Sequence, residues 1–139
     1  MAIPEGTFGD HVRERLHDEH VVWLTTVTPD GTPQPNPVWF LWDGADTVLV
    51  YNDKDAKRVP RLLAGPRVSL NFDSGDDGED VVIITGRAAP APDAPSPADN
   101  TEFLAKYGAA IAAIGYDVAR YAERWNVAVR IPIEKVRGL

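Results

Sequence analysis

The sequence predicts a mainly β domain, a six-stranded antiparallel sheet closed into a barrel, with a few short α-helices. Six short segments are rich in β-branched and aromatic residues, as strands are. Most of them follow one another through short turns, which favours antiparallel pairing because parallel strands need long crossovers. A sheet of this kind tends to close, since closure removes exposed edges that few helices are available to cover.

The predicted strands are separated by turn residues or by short helices. Between the first two, Pro29 pre-sets φ and Gly31 supplies a positive φ, which is typical of a tight turn. In the last strand, valine or isoleucine occupies every second position, the clearest period of two in the chain. The six strands are predicted at residues 21–27, 38–42, 47–51, 67–72, 81–89 and 127–133.

Helices are predicted at residues 7–19, 57–63, from Ser96 to about Tyr107, and 117–124. Gly65-Pro66 ends the second helix, and Gly108 is expected to end the third. The segment 90–97 contains four prolines, so it cannot be a ladder strand, because proline donates no backbone hydrogen bond. We interpret it as a surface connection within a single domain, residues 1–139, because the last strand still needs a sheet to join.

Composition narrows the classes of protein to consider. The chain has 139 residues, no cysteine and a net charge of −7, so it has no disulfide or thiolate chemistry and would repel nucleic acid and anionic membranes. No apolar run approaches the roughly 20 residues of a membrane span. The N-terminus lacks the features of a signal peptide. These observations predict a soluble, cytoplasmic protein without nucleic-acid or membrane partners.

The common catalytic motifs are absent. The chain has no glycine-rich dinucleotide or Walker loop and no Gly-x-Ser-x-Gly elbow. His11, His17 and His20 cluster near the N-terminus without a clear third metal ligand, and the acidic residues of 73–80 do not have calcium-loop spacing. We therefore predict no catalytic residue and no metal ligand. If the protein is an enzyme, a cofactor must supply the chemistry.

One segment has the residues that a phosphate site requires. A predicted strand ends at Tyr51 and Asn52, Lys54 follows, and Lys57 and Arg58 open a short helix. Strand-end side chains, a helix N-terminus and cations are the three kinds of donor that bind phosphate. The alternative is a solvated helix face with scattered basic residues, and the local pattern leaves both interpretations open.

A second segment could receive a flat ring. Pro35 and Pro37 remove two backbone donors from one side of the strand, so this segment must be an edge or a bulge. Asn36 lies between them, and the apolar side chains of Val38 and Trp39 follow. A heterocycle could lie here against the remaining backbone groups. The alternative is an edge strand that its prolines protect from aggregation.

In four patterns the chain resembles the flavin-binding split-barrel proteins related to pyridoxamine 5′-phosphate oxidase. The resemblance covers residues from Thr7 to Arg137, and it is greatest to the short actinobacterial branch that uses the deazaflavin coenzyme F-420 in place of FMN. The patterns are Val22–Val27 followed by Pro29-Asp30-Gly31, then Pro35–Phe40, then Tyr51-Asn52 followed by Lys57-Arg58, and then Pro66–Leu70.

The resemblance implies an FMN-binding split barrel that forms a homodimer with two cofactor sites at the subunit interface. The cofactor would be coenzyme F-420, or alternatively FMN, and hydride would pass between its ring and a small-molecule substrate. The ring would lie against Pro35–Trp39, and Trp125 is the candidate for an aromatic side chain that closes the site from the second subunit. The phosphate would lie on Lys57 and Arg58, helped by Tyr51, Asn52 and Lys54.

The chain also departs from the founding enzyme of this family. The second strand carries no cation where that enzyme has basic residues, and no arginine-rich signature follows Trp125. Oxidation of pyridoxamine phosphate is therefore not expected. We expect an F-420-dependent oxidoreductase with an unidentified acceptor. The alternatives are an FMN-dependent reductase and a cofactor-binding protein without turnover. A haem-binding barrel is disfavoured, because the histidines precede the first strand.

Overall fold

The computed structural model describes residues 2–139 and contains eight strands and four α-helices. The strands are β1 (Val22–Val27), β2 (Pro33–Val38), β3 (Leu41–Trp42), β4 (Thr47–Asn52), β5 (Arg67–Asn71), β6 (Val82–Arg87), β7 (Ala89–Pro90) and β8 (Val127–Gly138). The helices are α1 (Thr7–Asp18), α2 (Val59–Leu63), α3 (Thr101–Ala113) and α4 (Val118–Arg124), with a 3-10 turn at Pro97–Asp99 before α3.

All strand pairings are antiparallel, in the order β2-β1-β5-β6-β8-β4-β3, with β7 added beside β8. The mainly β antiparallel prediction is therefore confirmed. Within residues 2–139 no ladder joins β2 to β3, so the curled sheet remains split between these two strands. The strand β8 holds its two parts together, because its first half pairs with β4 and its second half with β6.

The predicted count of six strands is wrong in two places. The expected strand 38–42 is replaced by β2 and β3, which are separated at Trp39 and Phe40, and the expected strand 81–89 divides into β6 and β7. At the first break, the Phe40 side chain is buried in the barrel and its backbone N–H bonds to the Tyr107 hydroxyl instead of to a strand. The ladder consequently cannot continue through Phe40.

Two hydrophobic clusters form the interior. The barrel cluster collects inward-facing residues such as Leu24, Val50 and Ile131, and α1 covers one end of it through Val12 and Leu16. The second cluster is aromatic and lies where α3 and α4 pack on the sheet. Its buried residues are Tyr51, Phe103, Tyr107, Ile111 and Tyr121, with Trp39 and Trp125 among the partly buried side chains packed against them.

The helix α3 continues past Gly108, where the sequence predicted its end. Its buried residues Phe103, Tyr107 and Ile111 recur every four positions and face the aromatic cluster, so packing outweighs the low helix propensity of glycine. The helix ends before Gly115, which has a positive φ of 86°. Its N-cap is Asn100, whose side chain accepts a hydrogen bond from the Phe103 N–H.

The proline-rich segment lies against the sheet. Its Ala91 N–H donates to the Ala128 carbonyl, and the carbonyl oxygen of Pro95 accepts from the Tyr51 hydroxyl at 2.6 Å. Within residues 2–139, no helix combines the length and apolar character needed to cross a membrane. Across the same residues, no three His, Cys, Asp or Glu side chains are grouped closely enough to hold a metal ion.

Gly86 lies at a β-bulge where β6 meets β8. A Cβ atom on Gly86 would clash with the Pro132 carbonyl oxygen and lie 2.8 Å from Cγ2 of Ile131. We expect Gly86→Ala to lower the free energy of unfolding by about 1–2 kcal/mol, measured by urea denaturation. Gly108→Ala is the matched control, because its Cβ would meet no atom within 4 Å and alanine favours helix; it should be neutral or stabilising. Equal effects of the two variants would contradict the close approach at Gly86.

Candidate functional site

A cavity of about 190 Å³ opens where the end of β2 approaches β4 and α4. Six of the residues predicted from the sequence line it together, which brings the two predicted segments and Trp125 to one place. These residues are Pro37, Val38, Trp39, Tyr51, Arg58 and Trp125, and Ile114 and Tyr121 complete the lining.

Arg58 is held in this cavity by Asn52, at the end of β4. The Asn52 Oδ1 accepts a hydrogen bond from Arg58 Nε at 2.9 Å, and its amide nitrogen donates to the carbonyls of Val50 and Val127. Asn52 is fully buried, so it has no surface left for a ligand. Asn52 therefore orients Arg58, whereas the resemblance implied a direct contact with phosphate.

The guanidinium of Arg58 is half-buried, and two of its nitrogens have no hydrogen-bond partner in the described part of the chain. Burial lowers the pKa of Arg58, Asp53 acts in the opposite direction, and Arg61 lowers the pKa further. Arginine nevertheless remains charged in proteins. Neither terminal nitrogen has a hydrogen-bond or ion-pair partner among residues 2–139; only Nε is bonded. A fixed cation with two free donors can bind an anionic group.

Arg61 adds a second positive charge beside Arg58. Its Nε donates to the hydroxyl of the buried Thr26 at 3.0 Å, and its Nη1 donates to the Lys57 carbonyl at 3.3 Å. In the sequence, Arg61 follows Arg58 one turn later in the same basic stretch, although it was not among the residues predicted to bind the phosphate. Side chains three positions apart in a helical turn are neighbours.

The two predicted lysines do not line the cavity. Lys54 is exposed and lines a separate groove with residues of α4, and Lys57 is exposed in the turn before α2. The helix α2 begins at Val59, so Lys57 and Arg58 precede it instead of opening it. Pro60, in its first turn, has no N–H to offer. Pro60 therefore removes one of the backbone donors that a helix N-terminus usually offers to phosphate.

The strand β2 is an edge strand, as its prolines predicted. Among residues 2–139 it pairs only with β1, where Pro33, Pro35 and Pro37 lie opposite Val27, Thr25 and Trp23. Pro37 and Val38 reach the cavity. The other two predicted residues, Pro35 and Asn36, lie farther along the same edge; Pro35 is exposed and Asn36 half-buried.

Aromatic rings form one side of the cavity. Trp39 stacks on Tyr107 with ring centroids 4.7 Å apart and on Tyr121 at 5.6 Å, and Tyr121 stacks on Trp125 at 4.5 Å. Trp125 thus reaches the cavity of its own chain, whereas the resemblance implied a contribution from the second subunit. Tyr121 and Ile114 were missed, because the sequence does not show how α3 and α4 fold back over β4.

Tyr51 lines the cavity with its ring. Its hydroxyl donates to the Pro95 carbonyl and accepts a hydrogen bond from the Asn100 side chain at 3.1 Å. Burial raises the pKa of Tyr51. Because the hydroxyl is paired with Pro95 and Asn100, Tyr51 anchors the segment before α3, and its contact with phosphate stays a prediction.

Other cavities, of about 300, 390, 420 and 550 Å³, are larger. One of about 420 Å³ lies between the proline-rich segment and β8 and is lined mainly by proline and alanine. One of about 550 Å³ lies between α1 and α3 and includes Lys106, whose ammonium already donates to the Phe40 carbonyl at 3.1 Å. The cavity of about 190 Å³ remains the candidate site, because it joins the two predicted segments and because Asn52 holds the half-buried Arg58 guanidinium in its lining.

Lys106 gives a prediction for pH dependence. Burial lowers the pKa of Lys106 to about 8, against the opposing charges of Glu19 and Asp18. The unfolded value is near 10.4. Between these two pKa values the unfolded chain binds more protons at Lys106 than the folded chain does. The free energy of unfolding of the wild type should therefore rise with pH in this window. The stability of Lys106→Met relative to wild type should therefore decrease from pH 8 to pH 10, measured by chemical denaturation.

The exposed Lys135 provides the control for this experiment. The stability of Lys135→Met relative to wild type should not change in this way over the same pH range. A Lys106→Met difference that stays constant from pH 8 to pH 10 would contradict the burial of the ammonium.

The sequence profile of the pyridoxamine 5′-phosphate oxidase family matches residues 8–138. The chain belongs to this family. The resemblance inferred from the four sequence patterns is thereby confirmed.

Individual relatives are distant. A curated pyridoxine/pyridoxamine 5′-phosphate oxidase from Sphingopyxis alaskensis is 29% identical over 72 residues, which are 52% of this chain and 33% of that protein. The match thus spans about a third of the relative. An F-420 reductase structure has a TM-score of 0.67 at 22% identity, covering 97% of this chain and 98% of that one. A haem storage protein from Vibrio cholerae has a TM-score of 0.62 at 14% identity, covering 93% and 92%. At these identities the two structures show a shared fold and no more.

Proposed function

We propose that this protein is an oxidoreductase that binds a phosphorylated flavin-type cofactor, coenzyme F-420 or alternatively FMN, in the cavity between β2 and α4. The observation that carries the proposal is the Arg58 guanidinium, which Asn52 holds at the cavity with both terminal nitrogens free. Membership of the pyridoxamine 5′-phosphate oxidase family supports a cofactor of this type.

The phosphate would bind to Arg58, and Arg61 would strengthen the local positive charge. The protein as a whole carries a net charge of −7, so an anionic ligand needs such a local pair of cations to overcome the overall repulsion. The planar guanidinium fork of arginine matches phosphate geometry through two parallel hydrogen bonds. Lys57 lies one residue away and is exposed, so it remains a candidate for a second contact.

The ring of the cofactor would lie along the edge of β2 at Pro37 and Val38. An edge strand has no neighbour on its second side, so backbone groups remain for a flat ligand. When bound, the cofactor supplies hydride chemistry. The contribution of the chain is to hold the phosphate at Arg58, to position the ring beside the aromatic side chains of Trp39 and Trp125, and to leave room for a small-molecule acceptor.

We also propose that a second copy of the chain completes the site. The cavity is smaller than the roughly 300–1,000 Å³ of usual ligand sites, so one wall is missing. Trp23, which pairs with the cavity residue Pro37, and Val27 lie on the outer face of β1 and are 42% and 52% exposed, and Val21, just before β1, is 46% exposed. Such adjacent apolar side chains are typical of an interface. Sedimentation should give about twice the 15.2 kDa chain mass. A monomer at all concentrations would contradict the homodimer.

The cofactor is tested by fluorescence titration of the purified protein with F-420 and with FMN in parallel. We expect binding of F-420 with micromolar or better affinity, followed by oxidation of the reduced cofactor in the presence of a suitable acceptor. Binding of FMN alone would instead indicate an FMN-dependent reductase. F-420 binding without hydride transfer to any acceptor in a broad panel would indicate a cofactor-binding protein.

Haemin is included as a third titrant, because a haem storage protein shares the fold. Among residues 2–139, no histidine lines the cavity, and His11, which belongs to α1, is paired with Asp80 at 2.7 Å. We therefore expect no specific haemin binding. Failure of both F-420 and FMN to bind would overturn the proposed function.

A further inference from the structure

The four tyrosine hydroxyls of this chain differ in whether they have a hydrogen-bond partner. Of the four tyrosines, Tyr51 donates to Pro95 and Tyr107 bonds to Phe40, while Tyr116 accepts a hydrogen bond from Arg124. Across residues 2–139, the hydroxyl of Tyr121 alone has no partner. The hydroxyl of a tyrosine whose ring is buried usually has a hydrogen-bond partner, so this exception requires an explanation.

Tyr121 is not a surface residue. Tyr121 is only 2% exposed, and its ring stacks on Trp39 and Trp125 with interplanar angles of 19° and 9°. Burial raises the pKa of Tyr121, and the neighbouring Tyr107 and Tyr51 raise it further. The hydroxyl therefore stays protonated at physiological pH and remains a hydrogen-bond donor. A phenylalanine would fill the same stack without leaving a hydroxyl unpaired.

The position of Tyr121 connects this hydroxyl with the candidate site. Tyr121 lines the same cavity as Arg58 and Pro37. Among the described residues, the side-chain atoms that are fully enclosed and have no hydrogen-bond partner are Nη1 of Arg15 and Nε1 of Trp42. The Tyr121 hydroxyl is not one of these, so it is not fully enclosed, and the cavity is the opening that its side chain lines.

We propose that the Tyr121 hydroxyl donates a hydrogen bond to the ring system of the ligand that occupies this cavity. The inference rests on the proposed function and assigns a role that neither the family nor the sequence patterns provided. This hydroxyl favours a ligand with a planar ring that carries a hydrogen-bond acceptor on the edge facing α4. The acceptor can be a carbonyl oxygen or an unprotonated ring nitrogen. Tyr121 is a positioning residue, and no proton transfer is assigned to it.

The first test needs no ligand. Tyr121→Phe should leave the melting temperature of the unliganded protein unchanged or raise it, because the hydroxyl has no hydrogen bond inside the protein to lose. Tyr107→Phe, which removes a bonded hydroxyl, should lower it. A comparable fall in both variants would show that the Tyr121 hydroxyl has a partner inside the protein, and it would overturn the inference whatever the cofactor is.

The second test uses F-420 and FMN as probes. Tyr121→Phe should lower the affinity for whichever of the two cofactors binds by about three- to tenfold, the usual range for one neutral hydrogen bond. It should also shift the absorption band of the bound ring, because a hydrogen bond to the chromophore is lost. Tyr116→Phe is the matched control, since its hydroxyl bonds to Arg124 and does not line the cavity. It should change neither property.

The outcomes separate this inference from the function on which it rests. Cofactor binding to Tyr121→Phe with wild-type affinity and an unchanged spectrum would overturn the inference and leave the proposed function intact. Failure of the wild type to bind either cofactor would overturn the proposed function and the inference together.

Discussion

Replacing Arg58 with alanine is expected to weaken binding of the phosphorylated cofactor by roughly 10- to 150-fold. A hydrogen bond to a charged group is worth about 1.5–3 kcal/mol, and this range converts to that change in affinity. The effect should be large because Asn52 fixes the Arg58 guanidinium through Nε and leaves both terminal nitrogens for the ligand. Fluorescence titration of the variant and the wild type under identical salt conditions measures it.

Two variants control this experiment. Lys135→Ala removes an exposed cation from β8, changes the net charge equally and should leave the affinity unchanged. Arg58→Lys retains the charge without the planar fork, so it should recover only part of the lost affinity. Binding of the phosphorylated cofactor to Arg58→Ala within twofold of wild type would show that the phosphate is not held by Arg58.

Replacing Tyr107 with phenylalanine is expected to lower the free energy of unfolding by about 2–3 kcal/mol. The Tyr107 hydroxyl accepts a hydrogen bond from the Phe40 N–H at 3.0 Å. It also lies 2.7 Å from the His20 carbonyl and 2.9 Å from the Phe40 carbonyl. Its loss leaves the N–H of the buried Phe40 without a partner at the break between β2 and β3. The melting temperature should fall by roughly 5–10 °C, measured by thermal denaturation.

Tyr116→Phe is the control for Tyr107→Phe, since its hydroxyl bonds to the exposed side chain of Arg124. Its melting temperature should stay within about 2 °C of wild type, because exposed hydrogen bonds contribute little. A melting temperature of Tyr107→Phe equal to that of Tyr116→Phe would contradict the role of Tyr107 in joining α3 to the sheet.

Local rules explain what the sequence predicted correctly in the fold. Proline at alternate positions excludes a central strand wherever it occurs, so the edge position of β2 followed from Pro35 and Pro37 alone. Alternation of valine and isoleucine located β8 in the same way. The break at Phe40 could not be predicted, because it depends on Tyr107, which lies 67 positions away in the sequence. Likewise, α3 continues through Gly108 because of tertiary packing.

In the candidate site, too, local features of the sequence predicted some residues, whereas others depend on long-range packing. Arg58 was predicted because a cation after a strand is a local feature, and it does line the cavity with Pro37. The role of Asn52 was not predicted, since its partner carbonyl at Val127 belongs to a distant strand. Tyr121 was not predicted either, because it lines the cavity only as a result of the packing of α4 over β4. Long-range packing thus determines which of the predicted residues line the cavity.

The most direct test of the central claim compares the cofactor with its phosphate-free counterpart. For FMN this is riboflavin, and for F-420 it is the deazaflavin with its ribityl chain alone. The wild type should bind the phosphorylated form at least about tenfold more tightly, and Arg58→Ala should lose most of that preference, because each charge-assisted hydrogen bond contributes about 1.5–3 kcal/mol. Equal preference for the phosphorylated form in the wild type and in Arg58→Ala would contradict a phosphate site at Arg58.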